Sequence, residues 1–366
     1  MRIGLFLGAT ADTSFGLTDL VGFIRDVEAR GFDAVWLPNI FGLDAVGACA
    51  IAGWDTQRIE LGTAVTPTYP RHPSALAQQA MTTQAACDGR FALGIGLSHK
   101  LMIEDMLGMS YDKPARHMKE YLQIIAPLLR SEPVEFEGEQ LTAKLALDLP
   151  GATPVPLLVA ALGPALLKLA GAYADGTSTW MTGPRTIEQH IVPIINAAAA
   201  AAARPAPRIV CGMPICLTGD VAAAREHIGK ALQVYGMLPS YRAMLDREGV
   251  AGPEELAMVG DEATLRAAIG RLRDVGVTDF NAAIIAPPGG ESGGNPGITA
   301  VGGGDLTGCR VPARKPGMWF FSWLSLWSSP LSLVLVLLHK GAAHCAPISG
   351  CGQVLDNVTR VFDTTA

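Results

Sequence analysis

The chain is organised around Leu61-Gly-Thr-Ala-Val-Thr-Pro-Thr-Tyr-Pro-Arg-His-Pro73. Residues 58–61 lead in as a strand. Pro67, Pro70 and Pro73 then remove backbone donors that a continuing ladder would need. Pro73 opens an amphipathic run that extends to Ala86, and at a first helical position its missing N–H costs nothing. A stiff polar loop between a strand and a helix lies, in a repeating strand–helix fold, at the carboxyl end of the strand, where ligands bind.

Working outward, the same alternation recurs. Residues 2–7 and 32–37 are short apolar strands around a helical stretch, 15–30, that carries Leu20, Phe23, Ile24 and Val27 on one face and stops at Gly31. A small-residue helix at 43–54 precedes the third strand, 58–64. Beyond the quoted stretch come a helix at 74–86, a fourth strand at 91–95, an irregular segment and a helix at 113–129. Residues 131–150 read as an excursion, a hairpin. Strands follow at 157–160, 176–180, 208–217 and 280–286, with helices at 164–173, 184–203, 221–235 and 262–275. Eight strands with seven helical intervals count out an α/β fold, a (β/α)8 TIM barrel, because doubly wound sheets rarely alternate so many times in order.

The eighth helix is missing from this pattern. After Pro287 and Pro288 the chain turns glycine-rich, and no charged amphipathic helix is evident. Residues 1–288 are therefore assigned to the barrel. Residues 289–366 are assigned to a glycine-rich linker and a divergent, poorly ordered C-terminal tail that replaces the last helix. The tail holds three of the six tryptophans, Trp319, Trp323 and Trp327, and an apolar run at 318–338. That run is long enough to cross a bilayer, but its serines and central Pro330 argue against a membrane span. His339, His344, Cys345 and Cys351 match no zinc spacing, and no metal is expected.

Composition narrows the function classes. With 366 residues, 49% hydrophobic and a net charge of −6, the chain can bury one large core and has no basic run to suit a nucleic acid. Seven cysteines without a C-x-x-C pair read as buried thiols of a cytoplasmic protein. A small-molecule substrate is the expected partner, and a homodimer is left open. The loops after the strands hold few carboxylates, which disfavours a two-carboxylate glycosidase. Ser98 and His99 are chain neighbours and would not orient as a nucleophile–base pair. What the loops offer is small residues and helix starts, at Ala160-Ala-Leu-Gly163-Pro164 and at Thr182-Gly-Pro-Arg185. Backbone N–H groups there, with Arg185, suit a cofactor phosphate, although tight turns alone would also account for the glycines and prolines. Gly94-Ile-Gly96 lacks the third glycine of a dinucleotide fingerprint.

Taken together, residues 61–73, Phe91-Ala-Leu-Gly-Ile-Gly-Leu-Ser-His99, residues 160–163 and Thr179-Trp-Met-Thr-Gly-Pro-Arg185 resemble the bacterial luciferase-like superfamily. Within it they are most similar to oxidoreductases that use coenzyme F-420 (8-hydroxy-5-deazaflavin). The resemblance runs from Met1 to about residue 286. It implies a TIM barrel with the deazaflavin across the carboxyl ends of the strands, and a non-prolyl cis peptide at Ala64–Val65 backing the ring. The implied cofactor-binding positions are Asn39, Ala64, Val65, Thr66, Ser98, Ala160, Ala161, Gly163, Thr182, Gly183 and Arg185. In the sugar-phosphate dehydrogenase branch a catalytic His falls at Ile40 and a catalytic Glu at His99, so glucose-6-phosphate oxidation is in doubt. His99 is the candidate proton donor, with His72 next, while Trp36 and Trp180 read as core or cofactor wall. The expected activity is hydride transfer to or from a small organic substrate. The alternatives are an FMN-dependent luciferase-like monooxygenase and a non-catalytic barrel with a lost last helix.

Overall fold

In the computed structural model, residues 1–7, 16–151, 153–287 and 351–362 are described. Eight strands form the barrel: β1 (Arg2–Phe6), β2 (Ala34–Leu37), β3 (Glu60–Thr63), β4 (Phe91–Gly96), β5 (Leu157–Ala160), β6 (Gly176–Trp180), β7 (Arg208–Leu217) and β8 (Asp279–Ile284). Each pairs in parallel with the next. β8 pairs with β1, Gly4 opposite Asn281, so the sheet closes and presents no edge. Strands buried on both faces read as nearly continuous apolar runs, which is why they were visible in the sequence.

The outer layer is built from α1 (Leu17–Ala29), α2 (Ala45–Asp55), α3 (Pro73–Ala86), α4 (Pro114–Leu128), α5 (Pro164–Tyr173), α6 (Val192–Ala201) and α7 (Glu262–Asp274). α1 buries Leu20, Phe23, Ile24 and Val27, the face its spacing predicts. Two short turns, Pro184–Thr186 and the π-helical Ile187–Ile191, run directly into α6. Residues 131–150 do contain an antiparallel hairpin, Val134–Glu137 with Thr142–Leu145. Between β7 and α7 lie three helices, Val221–Ala231, Gln233–Met237 and Pro239–Glu248, then the turn Pro253–Leu256 and a short strand, Met258–Gly260, paired with the end of β7.

Part of the expected tail is described. Residues 351–362 form a helix, α8 (Cys351–Phe362), which buries Leu355 and Val361 and places the Phe362 ring 5.7 Å from Phe32 and 6.2 Å from Phe280. Arg30 pairs with Asp356, tying α8 to α1. This helix, within the tail that takes the place of the last helix, therefore packs against α1 and α7. It was missed because it returns far downstream of β8, behind glycine-rich and apolar sequence. The expected linker and the 318–338 run lie outside the described residues. Among the described residues no helix is long and apolar enough to cross a membrane. Cys49, Cys87, Cys211 and Cys216 are free and buried, as expected of core thiols.

The amino end of the barrel is sealed by charge. Arg208 bonds Asp279 at 2.6 Å and Glu60 at 2.8 Å, and Arg2 reaches Glu60 at 3.0 Å. Desolvation opposes the Arg208 charge, but the bonds to these two carboxylates outweigh it and hold its pKa above the ordinary value. Its guanidinium sits 5.9 Å from the Trp36 ring, which is fully buried. The open end is the other one.

Candidate active site

At that end β3 stops at Thr63, the Ala64–Val65 peptide is cis as the resemblance implied, and pairing resumes with Thr66–Pro67 beside Ile95 and Gly96 of β4. Thr63 clamps the bulge: its hydroxyl donates to the Gly94 carbonyl at 2.8 Å and accepts from the Gly94 N–H at 3.0 Å. A Cβ on Gly94 would run into the Thr63 carbonyl, and one on Gly96 would lie 2.6 Å from the Val65 side chain. The Gly94-Ile-Gly96 pair is thus explained by the close approach of the bulge to β4 rather than by a phosphate.

Above the bulge is a cavity of about 490 Å³ at the carboxyl ends of the strands. Backbone and small side chains, Ala64, Val65, Gly96, Ala160 and Gly163, line it on the β3–β5 side. Across the barrel the lining is Phe6, Trp180, Gly212, Tyr241 and Asn281. The Phe6 and Trp180 rings are 4.8 Å apart, an aromatic wall on β1 and β6. Tyr241, on the helix Pro239–Glu248, extends this wall and places its ring 6.0 Å from that of His99.

His99 stands half-buried on the cavity rim. Ser98 before it adopts φ 61°, a left-handed turn that the Tyr111 hydroxyl fixes by donating to the Ser98 carbonyl at 3.2 Å. Among the described residues the His99 imidazole has no hydrogen-bond partner. Burial holds its pKa below the ordinary value, so the ring is neutral near pH 7. It can carry one proton, on either nitrogen, facing the cavity.

The other expected residues divide. Ala64, Val65, Ser98, Ala160 and Gly163 line the cavity with His99. Thr66 and Ala161 are buried behind it, the Thr66 hydroxyl without a partner among the described residues. Asn39 lies off the wall and accepts from the Ala45 N–H at 3.0 Å at the start of α2. His72 is also off the wall: it caps α3, with Nδ1 2.7 Å from Ser74 Oγ and Nε2 3.2 Å from the Thr142 carbonyl oxygen. Thr182 is buried and donates to the Trp180 carbonyl at 3.3 Å.

At Gly183 and Arg185 the expected anion cradle is already filled. The Glu248 carboxylate accepts from the Arg185 N–H at 3.1 Å and the Thr186 N–H at 2.7 Å. It also occupies the space beside Gly183 that a side chain would need. The start of α5 is different: Gly163 has no side-chain cap, and it and Leu166 line the cavity. The sequence reading passed over Tyr111, Tyr241 and Asn281. Asn281 could have been found as an amide inside an apolar strand, whereas Tyr241 sits on a helix of the excursion and carried no signal. Among the described residues no cluster of His, Cys, Asp and Glu could hold a metal.

The model of the family described as luciferase-like monooxygenase matches residues 1–279. An F420-dependent glucose-6-phosphate dehydrogenase of Nakamurella multipartita is 30% identical over 281 residues, 70% of this chain and 79% of that protein. In fold, the chain is similar to the coenzyme F420 dependent tetrahydromethanopterin reductase from Methanopyrus kandleri, with TM-score 0.64 and 23% identity over 79% of this chain and 93% of that one. It is also similar to the oxygenating constituent of 3,6-diketocamphane monooxygenase of Pseudomonas putida in complex with FMN, with TM-score 0.62 and 16% identity over 77% of this chain and 91% of that one.

Proposed function

The chain belongs to the luciferase-like monooxygenase family, and within it we propose a deazaflavin-dependent oxidoreductase that reduces a C=C or C=N bond of a small organic substrate. The observation that carries this reading is the shape of the cavity. One side is bare backbone and small side chains on β3–β5, and the other is aromatic, so a flat tricyclic ring has a smooth bed and a substrate has a wall to rest on.

The residues present fit such a cofactor. A Cβ on Gly96 would press on both Val65 and Ala160, so the bed depends on its absence. The uncapped start of α5 at Gly163 faces the cavity and offers N–H groups to an anionic tail. Glu248 excludes that tail from the Gly183–Arg185 turn. A reduced deazaflavin bound there would supply a hydride to one atom of the substrate double bond, the other atom taking a proton. His99 holds the proton at the rim, and Tyr111 positions it through the Ser98 turn.

The test is a paired titration of purified protein, following quenching of deazaflavin fluorescence in one arm and of FMN fluorescence in the other. Deazaflavin binding at least tenfold tighter than FMN is expected. Tight FMN binding with no deazaflavin response would instead favour the FMN-dependent monooxygenase reading.

A further inference from the structure

The aromatic wall of the cavity is a connected arc of rings. From Phe6 and Trp180 it runs to Tyr235, whose ring stands edge-on to Trp180 at 6.1 Å. Tyr235 in turn meets Tyr241 at 5.2 Å with the planes perpendicular, and the arc ends on His99, 6.0 Å beyond Tyr241. Edge-to-face pairs are a preferred aromatic geometry, so Tyr241 is oriented by its neighbours as well as by its helix.

Two hydroxyls open into the cavity from this frame. Tyr241 lines the cavity, and its phenol makes no hydrogen bond among the described residues. The unpaired polar atoms closed off from solvent include Asn281 Oδ1 but not this hydroxyl, which therefore keeps surface that a bound molecule can reach. Burial, with Tyr235 beside it, holds the phenol well above its ordinary pKa, so it stays protonated and can donate. Ser178 on β6 is the second. Side chains alternate along a strand, so it shares the inward face with Trp180; it is 8% exposed, lines the cavity, and its hydroxyl is likewise unpaired and open. Buried polar groups are normally paired, and open, unpaired hydroxyls on a cavity wall mark places for ligand atoms.

Charge is absent around these hydroxyls. Among the described lining residues Lys100 alone is charged near pH 7, and its side chain is 72% exposed and paired with Glu104 at 3.5 Å. A phosphate or carboxylate on a substrate would lose its hydration here without meeting a counter-charge, which is unfavourable. We propose that the part of the cavity under the aromatic arc is the subsite for a flat, uncharged substrate, one acceptor atom of which takes a hydrogen bond from the Tyr241 hydroxyl. The inference rests on the oxidoreductase reading above and adds its substrate class. The substrate lies against the Trp180 ring, Ser178 offers a second neutral contact at the floor, and His99, the last ring of the arc, stands beside the end that Tyr241 holds.

Benzamide and benzoate serve as probes, because they share a planar shape and differ in charge. Binding to the full chain is followed by quenching of tryptophan fluorescence, with and without oxidised deazaflavin. Benzamide binding at least tenfold tighter than benzoate binding is expected. Tyr241→Phe removes the hydroxyl and keeps the ring; it should weaken benzamide binding at least fivefold and leave the deazaflavin Kd unchanged. Equal or tighter benzoate binding to the wild type, which needs no variant, overturns the inference. So does a benzamide Kd that Tyr241→Phe leaves unchanged. A Tyr241→Phe protein that loses deazaflavin affinity assigns the hydroxyl to the cofactor and overturns it too. If benzamide is preferred through Tyr241 but deazaflavin does not bind the wild type, the substrate class stands and the cofactor reading fails.

Discussion

The Glu248 carboxylate and Thr186 are joined twice, the Thr186 N–H and hydroxyl both donating to Oε2 at 2.7 Å. Glu248 ends the helix that carries Tyr241, and Thr186 lies in the helical turn after β6. The pair thus fixes a piece of cavity wall to the barrel through charge-assisted bonds. Removing the carboxylate leaves the Thr186 N–H unpaired, a loss of about 1–3 kcal/mol. Glu248→Ala should lower the stability measured by urea denaturation by about that much, and should raise proteolytic cleavage within residues 238–250. A variant with an unchanged urea midpoint and cleavage pattern would show that the wall is held by other contacts.

His99 is the imidazole on the cavity rim among the described residues. If it delivers the substrate proton, His99→Ala should lower kcat by about 10²-fold, the low end for general acid–base catalysis, and leave the deazaflavin Kd within about twofold. Steady-state kinetics and fluorescence titration separate the two quantities. Unchanged turnover would remove His99 from the reaction.

His99 and His117 both have pKa values below the ordinary histidine value. For each, desolvation is the largest cause, and in His117 it outweighs the opposing Gln140 hydrogen bond and Glu120 charge. His117 is stacked on Tyr69 with centroids 4.0 Å apart, and its Nε2 lies 3.1 Å from Thr68 Oγ1. Unfolding frees these rings to take up protons near their unperturbed pKa of about 6.5. The unfolded state then binds more protons, so their contribution is complete above that pKa and is lost as pH falls through it towards the folded values. The urea midpoint should drop between about pH 7 and about pH 5.5, a window above the carboxylate range. The double replacement His99→Gln, His117→Gln should flatten that dependence.

How much of this was legible follows from where the information sits. Strand and helix alternation is written in local periodicity, so β1 to β8 and the face of α1 with Leu20, Phe23, Ile24 and Val27 could be placed from spacing alone. The bulge at Ala64–Val65 and the cavity residues Ser98, His99, Ala160 and Gly163 came from a motif-level resemblance, because their side chains carry little chemistry of their own. Glu248 was invisible: nothing local says that a helix more than sixty residues after Arg185 returns its last carboxylate to that turn. His72 stood second to His99 as proton donor, and its ring atoms are engaged in capping α3 and in bonding the hairpin at Thr142. α8 escaped for a related reason, its partners Phe32 and Phe280 lying far away in the chain.

α8 can be tested by deletion of a single side chain. Leu355 is 2% exposed within the core cluster. Leu355→Ala in a docked helix should cost about 2–4 kcal/mol, the usual range for a buried leucine. Urea denaturation of the full chain measures it. A change near zero would mean that the helix contributes nothing to closing the barrel.

The bed for the cofactor makes the sharpest demand on a single position. Gly96 lies at the carboxyl end of β4, and a methyl group there would meet Val65 Cγ2 at 2.6 Å and Ala160 Cβ at 3.3 Å. Val65 and Ala160 both line the cavity, so either they shift into it or the bulge moves away from β4. In both cases the flat bed is lost while the barrel, closed through eight parallel pairings, stays intact. Gly96→Ala should therefore weaken deazaflavin binding at least tenfold, with overpacking lowering stability by about 1–3 kcal/mol. Fluorescence titration reads the first effect and urea denaturation the second. A variant that binds deazaflavin as tightly as the wild type would place the ring elsewhere in the protein.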